Sequence, residues 1–197
     1  YIIHNFTDNR SGNFAPLQSK VILSIARLSP EKGIDLLLQT AKKVLPLHPT
    51  WKWKLIGTGP LKQMVTDFIA HEKLNNQFML QEPNGSRLDD EYLNASLFVL
   101  SSRYESMSMV LLEAQSFGLP LISFNCPDGP AEIITHDANG LLVPAENTDA
   151  LAQAALSLIE DPAKAKQLSQ QAVVYAAQFN SETVYAQWNS LFDKLLH

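Results

Sequence analysis

Two cations and two carboxylates stand at places where an apolar run gives way to a segment of helical period. Arg27 and Lys32 bracket Leu28-Ser29-Pro30-Glu31 just after the first strong apolar run, and Gly33 follows. Arginine offers a planar fork of donors and lysine a compact charge, so the pair suits a diphosphate. It equally suits a polar turn carrying two solvated cations. Further on, Glu105 and Glu113 bracket Ser106-Met107-Ser108-Met109-Val110-Leu111-Leu112. The pattern predicts a helix over 110–117 whose first turn is supplied by the amides of Ser106, Met107 and Ser108, a natural site for anions and hydroxyls. Glu113 falls inside that apolar helix, where a carboxylate is costly to bury unless it is hydrogen-bonded or reaches a ligand. Two carboxylates on one cleft suit a hydroxyl-rich ligand such as a sugar. The plainer alternatives are a helix-start acid for Glu105, favoured by the dipole, and a snorkelling or capped Glu113.

Other segments carry weaker signals. Gly57-Thr58-Gly59-Pro60 allows either close backbone approach to a ligand or a plain tight turn. It is no dinucleotide fingerprint, because the third glycine of that pattern is Lys62 here. Cys126-Pro127-Asp128-Gly129-Pro130 reads as a turn into a short helix aimed at the cleft, where Asp128 or Glu132 either touches a ligand or caps the helix, capping being favoured for Asp128, and Cys126 is a small packed residue. Trp51 and Trp53 read as packing residues at a strand start. The five histidines, His4, His48, His71, His136 and His197, form no ligand pair, so no protein-built metal site and no cofactor are expected.

The elements that must position these residues alternate. Strands are predicted over 21–26, 53–56, 78–80, 97–100, 119–124 and 140–143, each short and unalternating, as in a parallel sheet buried on both faces. Helices are predicted over 34–45, 61–73, 89–95, 110–117, 131–135, 148–160, 163–178 and 182–196. Pro46 ends the first, Gly118 ends the fourth, and Asp161-Pro162 separates two of the last three. This order implies an α/β fold, a doubly wound, Rossmann-like parallel sheet of about six strands with C-terminal helices, whose ligands sit at the strands' C-terminal edge. Residues 1–18 read as a linker and loop, and 19–197 as the domain.

Composition sets the outer limits. A net charge of −5 argues against broad nucleic-acid binding. The lone cysteine suits a reducing cytoplasm, and no apolar run approaches the roughly 20 residues needed to cross a bilayer. The start, Tyr1-Ile2-Ile3-His4-Asn5, has neither an initiator Met nor the pattern of a signal peptide, and reads as a fragment or a trimmed chain.

Taken together, Arg27-Leu28 through Gly33-Ile34, the pair Glu105 and Glu113, the run Ala114-Gln115-Ser116-Phe117-Gly118-Leu119-Pro120, and Asn139-Gly140-Leu141-Leu142-Val143-Pro144 resemble the C-terminal domain of the family 4 retaining glycosyltransferases. The resemblance runs from Val21 to the last helices and implies one half of a GT-B fold. It implies that Arg27 and Lys32 neutralise the diphosphate of a UDP- or GDP-sugar, that Glu113 binds ribose hydroxyls, and that Glu105 faces the transferred sugar beside Ser106, Met107, Ser108 and Met109. Gly57 and Gly59 would admit donor or acceptor, and Gln81 to Pro83 with Arg87 would lie near the base. It further implies retention, no metal, and a saccharide or lipid-linked acceptor held by an absent N-terminal domain. The setting would be cell-surface polysaccharide synthesis in the bacterial cytoplasm, with peripheral contact to the inner membrane face possible for the full-length protein. Serine replaces the family's frequent glycine at Ser106 and Ser108, Ala26 replaces a common glycine, and Phe6 stands where a proline is usual. An epimerase would need the missing dinucleotide fingerprint and a Tyr-x-x-x-Lys pair. A non-catalytic nucleotide-binding domain and a phosphorylase-like enzyme are the remaining alternatives.

Overall fold

Short, mostly apolar runs form six strands that line up here, with the central ones covered on both sides. The computed structural model describes residues 1–9, 11–83 and 88–196. Strands β1 (Val21–Ile25), β2 (Lys52–Ile56), β3 (Phe78–Gln81), β4 (Leu97–Leu100), β5 (Leu121–Asn125) and β6 (Gly140–Pro144) form one parallel sheet in the order β3-β2-β1-β4-β5-β6. Val21 lies opposite Lys52 and Ile25 opposite Ile56, while Ile22 on its other side pairs with Leu97. Connections run outward in one direction from β1 and in the other from β4. The gap between their C-terminal ends is therefore the topological switch point, the place where α/β sheets bind ligands.

Helices cover both faces. They are α1 (Ile34–Val44), α2 (Lys62–His71), α3 (Asp89–Leu93), α4 (Met109–Ser116), α5 (Pro130–Ile133), α6 (Thr148–Glu160), α7 (Pro162–Ala176) and α8 (Ser181–Leu196). Alternate strand residues feed opposite cores. Ile22, Leu97, Val99, Ile122 and Phe124 pack under α1, α2 and α6, whereas Leu23, Ile25, Phe98, Leu100 and Leu121 pack under α3, α4 and α5.

Local chemistry sets most boundaries. Pro46 stops α1, and the chain makes one 3₁₀ turn over Leu45–Leu47. Gly118, at φ 73°, ends α4 with amides of Gly118 and Leu119 bonded back to Gln115 and Ala114. Asn147 caps α6 and Asp161 caps α7 through side-chain oxygens. Trp53 is fully buried and donates to Ser24 Oγ at 3.1 Å, a packing role.

Three expectations need correction. Helix α4 begins at Met109, so Ser106 and Met107 are loop residues and Ser108 is the N-cap. Glu105 is tied into the sheet rim by side-chain bonds, and helical geometry starts only past Ser108, a residue type suited to the N-cap. Asp128 does not cap α5: it takes φ 67°, a conformation aspartate tolerates, and Gly129 is the N-cap. Strand β5 starts at Leu121, because Leu119 and Pro120 complete the turn out of α4. Arg87 lies outside the described residues. The described part of 1–18 contains no helix or strand and packs on the domain, with Thr7 N bonded to Phe179 O and Asn9 Nδ2 to Ser116 O.

Candidate functional site

A cleft of about 240 Å³ opens at the switch point, lined by Ile25, Ala26, Arg27 and Lys32 from the β1 side and by Glu105, Met107, Ser108, Met109 and Val110 from the β4 side. Arg27 is exposed, with no carboxylate in ion-pair range among the described residues. Lys32 ends a 3₁₀ turn, Pro30–Lys32, and its Nζ donates to Glu105 Oε1 at 2.8 Å. Glu105 is 6% exposed and accepts a second bond from Ser102 Oγ at 2.7 Å on the same oxygen. Two positive groups and one buried carboxylate thus share one small cleft at the head of α4, whose first amides lack helical partners.

Glycines clamp this arrangement. A Cβ on Gly57 would stand 1.9 Å from Ala26 O, and one on Gly59 2.5 Å from Leu28 O. On the Cβ side, both glycines face the backbone that carries Arg27. Backbone bonds from Leu28 N to Thr58 O and from Leu61 N to Leu28 O tie the two loops together. In the same way, a Cβ added to Gly33, at φ 59°, would stand 1.9 Å from Ser101 O, and one added to Gly129 would stand 2.8 Å from Glu105 Cβ.

Arg103, three residues past the end of β4, is the strut of the rim. Its guanidinium forks onto Asp35 at 2.8 and 2.7 Å, donates to Pro30 O at 2.9 Å and reaches Glu146 at 2.9 Å. Its amide also bonds Glu31 O. One residue after β4 thereby fixes the loop after β1 and the loop after β6. The Asp35 carboxyl is held below its usual value, chiefly by these bonds from Arg103. Only the planar five-donor shape of arginine signalled this in advance.

Glu113 lies elsewhere. It is one helical turn beyond Met109 on the same side of α4, and lines a second cleft of about 360 Å³ with Phe6, Thr7, Asp8, Leu88, Asp89, Tyr92 and Phe117. Tyr92 Oη donates to Glu113 Oε2 at 2.5 Å. Burial, helped by the charge of Asp89, raises the Glu113 carboxyl above the usual range, and the Tyr92 bond opposes this. Tyr92 escaped the sequence reading because an aromatic in a short helix looks like core.

The remaining expected residues are not in the first cleft. Ser106 and Pro83 are exposed, Gln81 donates to Glu91 at 3.1 Å, and Glu82 pairs with Lys62 at 2.6 Å. Pro83 follows β3, which β2 separates from β1. Cys126 is buried near Glu105, and burial with that carboxylate's charge raises its thiol pKa, so it is a poor nucleophile. Among the described residues no group of three or more metal-binding side chains is gathered, and no helix is long and apolar enough to cross a membrane.

Fold and clefts together define a Rossmann-like α/β domain presenting charged groups at its switch point. The chain belongs to the family described as Glycosyl transferases group 1, which matches residues 5–174. An exopolysaccharide phosphotransferase of Streptomyces coelicolor is 34% identical over 91% of this chain and 19% of its own length. The amylovoran biosynthesis glycosyltransferase AmsD of Erwinia amylovora is 30% identical over 91% of this chain and 50% of its own. The chain therefore spans half or less of either relative. Among solved structures, S. aureus TarM, as a mutant in complex with UDP, fondaparinux and α-GlcNAc-glycerol, superposes with a TM-score of 0.87 at 24% identity, over 98% of this chain and 39% of that one. Anabaena HepE in complex with UDP-glucose gives 0.86 at 21%, over 98% and 57%. These likenesses establish the half of a GT-B fold.

Proposed function

We propose that this chain is the donor-binding, C-terminal part of a retaining, family 4 glycosyltransferase that moves a sugar from a UDP- or GDP-sugar to a saccharide or lipid-linked acceptor in cell-surface polysaccharide synthesis. The observation that carries the reading is the convergence of Arg27, Lys32 and Glu105 on one cleft at the switch point. Family membership and relatives named for exopolysaccharide and amylovoran synthesis support it.

In this reading the donor diphosphate enters between Arg27 and the first amides of α4. It competes with Glu105 for Lys32, which turns to the phosphate as charge builds on it. The anomeric carbon–oxygen bond to the phosphate breaks, the acceptor oxygen bonds to that carbon from the same face, and the acceptor proton passes to the leaving phosphate oxygen. Cations and amides already in place where negative charge develops lower the barrier without reorganisation. Glu105, freed of Lys32, accepts hydroxyls of the transferred sugar. Glu113 accepts hydroxyls of the ribose one helical turn away. No metal is needed for a diphosphate neutralised in this way. The acceptor belongs to an N-terminal partner lobe, so this part alone binds donor weakly and transfers nothing. The full-length enzyme works in the cytoplasm, with peripheral contact to the inner membrane face.

Turnover of Lys32→Ala in the full-length protein tests the reading. Loss of such a preorganised donor lowers kcat by about 10²–10³. A rate close to wild type would remove the diphosphate role.

A further inference from the structure

We infer that Tyr92 is a positioning residue of the second cleft, holding the Glu113 carboxylate in one orientation so that its remaining lone pairs meet the ligand's hydroxyls. The inference rests on the proposed nucleotide-sugar site and assigns a part of it to a residue outside every sequence pattern.

Geometry supports this from both sides of the hydrogen bond. The Tyr92 ring is 1% exposed, stacked on Phe117 at 5.2 Å with a 14° interplanar angle and tilted against Phe98 at 6.1 Å. A ring wedged between two others cannot swing, so its hydroxyl is a fixed point, and Glu113 Oε2 sits 2.5 Å from it. Glu113 itself is a long side chain on a helix, with rotamers to choose from. The bond selects one of them and leaves Oε1 with no side-chain donor among the described residues. Tyr92 comes from α3 and Phe117 from the end of α4, so the contact also fixes α3 against α4 across the cleft.

The charges around Glu113 make the role measurable. Asp89 on α3 and Asp8 in the N-terminal segment line the same cleft, and no lysine, arginine or histidine lines it among the described residues. Among the described residues, the Tyr92 hydroxyl is the donor that opposes the burial and repulsion acting on the carboxylate. A ligand hydroxyl donates best to the ionised form. Affinity should therefore fall as pH drops through the Glu113 titration, which lies above the ordinary glutamate range. Loss of the Tyr92 hydroxyl moves that midpoint to higher pH, and loss of the Asp89 charge moves it lower.

Calorimetric titration of the full-length protein with UDP and with GDP, across pH 5 to 8, decides the matter. Tyr92→Phe keeps the stacked ring, so the fold is retained. The expected result is a roughly ten-fold loss of affinity near neutral pH, with the midpoint moved up in Tyr92→Phe and down in Asp89→Asn. The ligand's own titration is common to all three proteins and cancels. Wild-type affinity and midpoint in Tyr92→Phe would overturn the inference while leaving the donor site standing. Weaker binding with an unmoved midpoint would reduce Tyr92 to packing and overturn it too. Absence of UDP and GDP binding by the wild type would remove the donor site itself.

Discussion

Lys32 Nζ stands 2.8 Å from Glu105 Oε1, joining the loop after β1 to the loop after β4 across the switch point. Glu105 is almost wholly buried and Lys32 keeps about a quarter of its side chain exposed. The pair sits where water is scarce but not absent, so its attraction is neither that of a surface pair nor that of a dry one. It ties the two loops together beside the cleft.

Removing one partner should therefore hurt more than removing both. Lys32→Met leaves a buried carboxylate whose remaining side-chain donor among the described residues is Ser102, at a cost of about 1–3 kcal/mol. Adding Glu105→Gln removes the orphan charge. Urea denaturation of the two single variants and the double variant should give a coupling energy of about 1–2 kcal/mol. Strict additivity would show that the contact contributes nothing to folding.

Arg103 should not tolerate lysine. Lysine keeps the charge but cannot fork onto Asp35 and reach Pro30 O and Glu146 at once. Arg103→Lys is expected to lose about 1 kcal/mol of stability, since the guanidinium is partly exposed, and to raise the donor KM more than it lowers kcat. The pH dependence has a definite sign. Asp35 is held below its ordinary value in the fold, so its contribution is present above the unfolded aspartate value of about 3.9 and is lost as pH falls below it. Denaturation between pH 5 and 2.5 should show a shallower acid loss in Arg103→Lys than in wild type.

Cys126 should resist alkylation. Burial, with the nearby Glu105 charge, keeps its thiol protonated at neutral pH. Iodoacetamide at pH 8 should label the native protein far more slowly than the urea-unfolded chain. Equal rates would mean that the thiol is open to solvent.

Much of the architecture was legible in the sequence because the central β-runs are buried on both faces and several helices are ended by a residue with an obvious mechanism, such as Pro46 or Gly118. The strand order was not legible, because right-handed crossovers permit more than one order of six parallel strands. Arg27, Lys32 and Glu105 were singled out because each stands where an apolar run gives way to a helical segment, and the structure gathers them on one cleft. The start of α4 was misjudged: a run such as Ser106-Met107-Ser108 can be loop or first turn, and a contact 73 residues away, Lys32 with Glu105, decides between them. Tyr92 and Arg103 were missed because their partners, Glu113 and Asp35, are remote in sequence. The glycines were recognised as points of close approach, but nothing local says whether the approaching atoms belong to a ligand or to the chain.

That last ambiguity yields a graded test. Gly12 has φ 67° and nothing within 4 Å of an added Cβ, so Gly12→Ala is expected to cost only the left-handed strain of about 1 kcal/mol. Gly57 lacks a positive φ, but its Cβ would meet Ala26 O at 1.9 Å, a collision with backbone that no rotamer relieves. Gly57→Ala must push apart the loops after β1 and β2, and should cost more than about 2 kcal/mol. Because that loop carries Arg27, donor affinity should fall with it. Gly129→Ala presses instead on Glu105 Cβ at 2.8 Å, so it should disturb the carboxylate and leave the Arg27 loop in place. Thermal denaturation and UDP or GDP titration of the three variants should rank Gly57 first in stability loss and Gly12 last. A mild Gly57→Ala with intact binding would mean that the β1 loop can shift freely, and then the rigid placement of Arg27 could not be what lowers the barrier.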